Sequence, residues 1–345
     1  MRTWRVVLVG FGTVGRGVAE RLRASAGELE SLGIAPRIVG VLDPRLGSVA
    51  APSGLDPASL LQAAEGEGDL TQVPGALACE GGVAGVREIQ ADVVFELTPT
   101  NLRDGQPGLD HVRAALENGR HVSTTNKGPV ALAWPELRDL AAANNVQLRC
   151  EGTVMSGTPL LNVCEAGLAG AGVRAVRGIL NGTCNYILSR MEEGMAYDDA
   201  LNEAQRLGYA ETDPSGDVEG WDAAAKVAIL GNLVLGGSLS LADVERGGID
   251  SVDLDAVQNA VEGGKRLRLV GSVERGESAV TNARVTLEEL PQDDPLAAVS
   301  GAGNLLTFET DALGAVSVAG PGAGRAETGH ALVADLIAIH RAELS

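Results

Sequence analysis

Aromatic residues are scarce in this 345-residue chain, with three each of Phe, Tyr and Trp making up 3% of it. Basic residues are in short supply too: 27 Lys and Arg face 46 Asp and Glu, for a net charge of −19. Phosphate contacts need clustered cations, so nucleic acid and anionic membrane surfaces are set aside as partners. Cysteine is equally sparse. Cys79, Cys150, Cys164 and Cys184 lie far apart with no C-x-x-C pair, which argues against a disulfide or zinc framework and fits reduced thiols in the cytoplasm. Long hydrophobic runs are missing as well. The opening VVLVGFG is too short and glycine-broken for a secretory leader, and charge or glycine interrupts every other apolar stretch before it could span a bilayer. What is present is 45% hydrophobic residues and ample Gly and Ala, enough to build a sizeable core in two domains.

The first domain is announced by WRVVLVGFGTVGRGVAERLRAS, which reads as a buried strand, a glycine series and an opening helix. Gly10 permits the tight turn and Gly12 lets a pyrophosphate approach the backbone. Gly15 lets helix and strand pack closely, and the anion rests on the helix N-terminus at Thr13 and Val14. A second strand, RIVGVLD, ends in Asp43, about 28 residues past Gly15 against the ~20 that are typical. A carboxylate there binds the ribose hydroxyls of NAD, whereas Arg45 beside it would welcome the extra phosphate of NADP. The two signals conflict, and the carboxylate tips the reading slightly to NAD. Further on, ADVVFELTPTN is a buried strand running into a polar loop with Thr98, Thr100 and Asn101, where a doubly wound sheet presents its ligands. HVSTT and the loop Asn126-Lys127-Gly128-Pro129 then place Lys127 at a strand C-terminus beside the same crevice.

Near residue 150 the pattern changes. RAVRGILNGTCNYILSRM gives strand, polar turn and helix, with Asn181, Gly182 and Thr183 in the turn: a grip for a small polar ligand, or simply a helix cap. KRLRLVGSVERG, SAVTNARVTLEEL, GNLLTFET and GAVSVAG follow as strands with short connections, a mixed or largely antiparallel sheet with helices on one face. The closing GPGAGRAETGHALVADLIAIHRAEL opens an amphipathic helix with a glycine loop containing Gly322 and Gly324, and returns to the first domain near the cofactor. The expectation is an α/β chain: a Rossmann dinucleotide-binding domain over 1–150, completed by 320–345, and an α+β catalytic and dimerisation domain over 151–319.

One residue stands out. The stretch DAAAKVAILGNLVLGGSLSLAD is apolar on nearly every face, yet carries Lys226. Burying an ammonium costs several kcal/mol unless partners or chemistry justify it. Asp222 is one helical turn away on the same face, and the acidic approach GYAETDPSGDVEGWD adds Glu211 and Asp217. An acidic segment running into an apolar helix reads as a polar pocket above a core.

Taken in order, GFGTVGRG, STTNKGPVA, EGTVMSGTPLL, GILNGTCNYILSRM, GYAETDPSGDVEGWDAAAKVAIL and PGAGRAETGHALVADL make the chain resemble homoserine dehydrogenase over essentially its whole length. The resemblance implies reversible NAD(P)H-dependent reduction of L-aspartate 4-semialdehyde to L-homoserine, on the branch toward threonine and methionine. It places the family's two functional lysines on Lys127 and Lys226 and its acids on Glu211 and Asp222, with Asp217 facing the amino acid. It also implies a Na+ or K+ loop at Glu151, Val154, Ser156 and Thr158. The motif Arg325-Ala326-Glu327-Thr328-Gly329-His330 departs from the usual proline, threonine and small residues. Longer relatives continue into a threonine-sensing ACT domain, so a short form without that feedback is expected.

The residues agree with the chemistry. Reduction of an aldehyde needs a hydride and then a proton for the alkoxide, and a lysine ammonium can stabilise and protonate that oxygen. Lys226 is read as the donor, Lys127 as its like-charged neighbour and Asp222 as its anchor. Glu211 and Asp217 are read as acceptors for the substrate ammonium, with Asn181, Gly182 and Thr183 holding the polar remainder. An aspartate-semialdehyde dehydrogenase would instead need a nucleophilic cysteine near a histidine, and an NADH-sensing binding protein would have no use for Lys226. Apolar surface on the second domain's sheet and its Ala-rich helices points to a homodimer.

Overall fold

The computed structural model describes residues 1–66, 68–276 and 280–344, so the strand read from Ser278 is followed only from Val280. The chain divides into two compact units, Met1–Gly157 with Gly324–Ser345, and Thr158–Ala323.

The first unit holds a seven-stranded sheet. Its strands are β1 (Arg2–Val9), β2 (Ile34–Leu42), β3 (Val49–Ala50), β4 (Leu77–Ala78), β5 (Val93–Glu96), β6 (His121–Thr124) and β7 (Leu148–Arg149). They lie in the order β4-β3-β2-β1-β5-β6-β7, parallel from β2 to β7 and antiparallel at β3 and β4. Alternation along β1 sends Trp4, Val6 and Leu8 into one core and Val7 and Val9 into another, so both faces of the sheet are covered. The chain leaves β1 toward β2 and later returns on its other side at β5, which puts the topological switch, and hence the ligand crevice, at the C-terminal ends of β1 and β5.

The returning helix Arg325–Ala342 lies on helix Thr13–Ala24 and adds Leu332, Leu336 and Ile339 to the Trp4–Leu8 core. Two glycines allow the approach. A Cβ at Gly17 would sit 2.2 Å from the Arg325 carbonyl oxygen, and one at Gly329 would sit 2.5 Å from the Gly17 carbonyl carbon. The amphipathic expectation for this helix understates its burial: it also packs on β6 and on the turn Glu151–Thr153, and so buries Thr328, Asp335 and His340 along with its apolar stripe.

The second unit is built on β8 (Val173–Ile179), β9 (Glu245–Arg246), β10 (Lys265–Arg275), β11 (Val280–Pro291), β12 (Gly303–Thr310) and β13 (Gly314–Pro321). Their order is β13-β12-β8-β10-β11-β9, antiparallel except for β11 with β9. Helix Trp221–Leu233 packs on β10 and β11. Gly271 of β10 makes room for it, since a Cβ there would meet Leu180 at 2.7 Å and Val227 at 2.8 Å.

Candidate active site

In the second unit the chemistry gathers around one amine. Helix Trp221–Leu233 starts after Gly220, whose left-handed φ of 81° would penalise any side chain, and where a Cβ would lie 2.2 Å from the Gly247 carbonyl oxygen. From Ala223 to Asn232 every residue is buried, Lys226 among them at 6% exposure. Its Nζ donates to the Leu180 carbonyl at 2.6 Å and pairs with the Asp222 carboxylate at 2.7 Å. An ammonium has three N–H donors, so these partners engage two of them.

Asn181 organises the acids. Its Oδ1 accepts from the Cys184 backbone N–H at 2.8 Å and caps helix Gly182–Glu192. Its Nδ2 donates to Asp217 at 2.7 Å and to Asp222 at 2.9 Å. The cap reading of the Asn181 turn is the one observed, and the same side chain holds two carboxylates in register. Burial pushes the Asp217 carboxyl above its usual range, with the Asp222 charge adding to the rise and Asn181 opposing it. Thr183 Oγ1 donates to the Tyr209 carbonyl at 2.6 Å. Gly182 sits where a Cβ would lie 2.7 Å from the Ala302 carbonyl oxygen. Glu211 stands apart, exposed, and its carboxylate makes no hydrogen bond or ion pair among the described residues.

The glycine loop of the first unit has the geometry its spacing implies. Gly10 has a φ of 100°, and a Cβ at Gly15 would collide with the Gly10 carbonyl oxygen at 2.5 Å, whereas one at Gly12 would meet nothing within 4 Å. Helix Thr13–Ala24 opens at that clear face with no side-chain cap, leaving its first backbone N–H groups for an anion. Asp43 follows β2 but turns its carboxylate to the backbone: it accepts from Phe11 at 2.8 Å, Arg45 at 2.9 Å and Leu46 at 3.0 Å. Burial works against that charge, yet the three donors outweigh it and lower the pKa. The Arg45 side chain is exposed.

Lys127 is not in a loop as the sequence reading had it. It is the first residue of helix Lys127–Ala143, capped by Asn126, whose Oδ1 accepts from the Gly128 N–H. The Lys127 N–H donates to Thr100 Oγ1 at 3.2 Å, joining that helix to the loop after β5. Asn101 folds into its own loop, bonded to Asp104 and to the Gln106 carbonyl. Below these residues lies Glu96, fully buried, with its carboxylate bonded to Thr98 and Thr124. Neither Glu96 nor Asn126 was singled out from the sequence. The available signal was an acid closing the otherwise apolar strand ADVVFE.

Glu151 is 2% exposed and begins the turn Glu151–Thr153. Met155 and Ser156 follow with left-handed φ of 56° and 53°, and Gly157 presses on the Glu327 carbonyl, where a Cβ would lie 2.0 Å away. Ser156 and Thr328 share a hydroxyl hydrogen bond. Thr158 belongs to the second unit, where its hydroxyl donates to the Pro321 carbonyl at 3.0 Å. No cluster of three or more His, Cys, Asp or Glu residues that could hold a metal occurs among the described residues. Gly322 and Gly324 fall in different units: a Cβ at Gly322 would strike Asn304, and Gly324 precedes helix Arg325–Ala342 with a φ of 143°. Cys150 is 3% exposed and burial pushes its thiol far up, so it is inert as a nucleophile.

Comparison with known proteins joins these two halves to one family. A model of the homoserine dehydrogenase NAD-binding domain matches residues 10–151, and the homoserine dehydrogenase model matches residues 159–337. An NAD(+)-dependent homoserine dehydrogenase of Pseudomonas canavaninivorans is 43% identical over 99% of this chain and 97% of its own length. A crystal structure of a homoserine dehydrogenase from Thermoplasma acidophilum superposes with a TM-score of 0.84 at 30% identity, covering 99% of this chain and 100% of that one. A hyperthermophilic archaeal homoserine dehydrogenase in complex with NADPH gives a TM-score of 0.84 at 29% identity, over 99% of this chain and 98% of that one. The chain belongs to the homoserine dehydrogenase family, NAD(P)-dependent oxidoreductases acting on a CH–OH group.

Proposed function

We propose that Lys226 is the proton donor to the oxygen formed when L-aspartate 4-semialdehyde is reduced to L-homoserine. The observation that carries this is the amine itself: a buried ammonium with one N–H on Leu180 O, one on Asp222 and a third with no partner among the described residues. The bound nicotinamide cofactor supplies the hydride to the aldehyde carbon. Lys226 stabilises the oxygen as its charge develops and then protonates it, and in the reverse direction takes the proton back. Asp222 and the Leu180 carbonyl hold Nζ in one position, which removes the reorganisation a free lysine would need. Lys127 is the second ammonium of the reaction. Asp217 and Glu211 receive the substrate ammonium, and the Gly182 and Thr183 backbone holds its carboxylate.

NAD is the preferred cofactor in this reading, supported by the fixed anion at Asp43 and by the NAD(+) dependence named for the Pseudomonas relative. Gly10, Gly12, Thr13, Val14, Gly15, Thr98 and Thr100 would hold it, and Gly322 and Gly324 are counted among its contacts. A Na+ or K+ ion at Glu151, Val154, Ser156 and Thr158 braces the loop. The working form is a cytoplasmic homodimer joined through the second unit, which sedimentation would report as twice the chain mass.

Lys226→Ala tests the central step. Homoserine-dependent NAD(P) reduction should fall by about 10²–10⁴-fold in kcat, while NADH binding followed by fluorescence stays near wild type. A variant with wild-type kcat would falsify the assignment. The same assay run with NAD against NADP, and with Na+, K+ or neither, checks the cofactor and cation readings; equal kcat/KM for the two cofactors, or indifference to the ion, defeats them.

A further inference from the structure

We infer that Glu96, through Asn126, is a positioning residue for Lys127 and the crevice loop; the inference rests on the catalytic reading of Lys127 above. Glu96 ends β5 with no exposed surface, directly below the loop that carries Thr98, Thr100 and Asn101. A carboxylate in that place has to be hydrogen-bonded, and it is. Thr98 donates to it through both its backbone N–H and its hydroxyl, Thr124 Oγ1 donates to it at 3.1 Å, and His111 Nδ1 lies 3.6 Å away.

From there the connections run in one direction. Asn126 Nδ2 donates to Thr98 Oγ1 at 3.2 Å and to the Pro99 carbonyl at 3.4 Å, and its backbone N–H donates to Thr124 Oγ1 at 3.0 Å. The opposite end of that amide caps helix Lys127–Ala143, and the Lys127 N–H in turn binds Thr100. Glu96, Thr98, Asn126, Lys127 and Thr100 are thus one closed circuit spanning the ends of β5 and β6. Space around the circuit is sealed: a Cβ on Gly108 would stand 2.3 Å from Asn126 Nδ2 and 3.2 Å from Glu96 Oε2, and one on Gly128 would stand 2.6 Å from the Asn101 carbonyl oxygen.

The donors around Glu96 fix what it must be. Thr98 directs two donors at one carboxylate oxygen, and the Thr124 hydroxyl proton is shared between the other, at 3.1 Å, and the Glu96 carbonyl, at 2.9 Å; a glutamine keeps one acceptor oxygen but removes the charge that strengthens these bonds. The circuit would then shift, and misplacement of a reacting group by about 1 Å can cost up to about a hundredfold in rate.

A double-mutant cycle decides between positioning and mere stability. Glu96→Gln alone is expected to lower kcat about tenfold and raise the dissociation constant for NADH, and Asn126→Asp, which cannot donate to Thr98, should do the same. In a Lys127→Ala background, assayed at high enzyme concentration, Glu96→Gln should change kcat by less than about twofold. Wild-type kcat in Glu96→Gln at 25 °C with only a lowered Tm overturns the proposal, as does a tenfold loss that persists without Lys127. If Glu96→Gln does not fold, Asn126→Asp enters the same cycle under the same criteria. Failure of the underlying reading is a separate result, because Lys127→Ala would then turn over at the wild-type rate.

Discussion

Each of the Asn181 side chain's polar hydrogens and its oxygen is engaged within the protein, and this separates the residues that build the site from those left to touch a ligand. Asn181 holds the acids. Glu211, exposed and without a partner for its carboxylate among the described residues, has its oxygens available. Glu211→Gln is therefore expected to raise KM for homoserine about tenfold, the scale of a hydrogen bond to a charged group, with the NADH dissociation constant within twofold of wild type. Equal losses in both would remove Glu211 from substrate binding. Lys226 was legible in the sequence because nothing else in an unbroken apolar helix explains a charge. Glu96 was not: one acid at a strand end looks the same whether it faces solvent or, as here, ties two loops. Asp43 directly follows β2, where the sequence reading put it, but its bonds to Phe11, Arg45 and Leu46 depend on a backbone path that spacing does not reveal.

Glycine acts at the level of elements in two opposite ways. At Gly17 and Gly329 its lack of a side chain lets two helices touch, while at Gly12 it keeps a surface clear. Gly17→Val and Gly329→Val should each destabilise by about 1–3 kcal/mol through overpacking, seen as a lower urea midpoint. Gly12→Ala should leave the midpoint within about 0.5 kcal/mol and weaken cofactor binding instead. Matching stability losses at all three positions would erase the distinction. The strand-glycine-helix signal made the loop readable from its spacing, and long strands such as β10 and β12 were readable from their apolar patterns. The two-residue strands β3 and β4 were missed because so few residues carry no period. Lys127 was placed in a loop because Gly and Pro follow it, yet proline is well tolerated in a helix's first turn and the Asn126 cap starts the helix there.

At the scale of the molecule, acid sensitivity should concentrate where the last helix meets the first strand. Trp4 lies between His121 and His340, Trp4 Nε1 donates to His340 Nδ1 at 3.2 Å, and Arg2 pairs with Glu343. His121 Nδ1 accepts from the Gln147 N–H at 3.1 Å, so its proton sits on Nε2, facing Glu343 at 2.8 Å. Burial lowers the His121 pKa below 6.5, with Arg2 adding to the effect and Asp92 opposing it. A depressed histidine binds its proton more readily when unfolded, so its stabilisation is present above pH 6.5 and is lost as the pH falls through 6.5 toward the folded value. Asp335 has the opposite sign: burial raises it to about 6, so its ionisation costs stability as the pH rises from the ordinary carboxylate range to about 6. His121→Asn, which keeps an acceptor for Gln147, should therefore show a smaller drop in Tm between pH 7 and 5.5 than wild type. An unchanged slope would move the acid sensitivity elsewhere.

Helix Arg325–Ala342 also sets an order of assembly. The nascent first unit must wait through the entire synthesis of Thr158–Ala323 before Leu332, Leu336 and Ile339 arrive to cover Trp4 and Leu8. Until that segment emerges from the ribosome, one side of the nucleotide-binding sheet is covered only in part, by helices Thr13–Ala24 and Pro57–Ala63, and leaves a greasy surface on which chaperones or neighbouring nascent chains can settle.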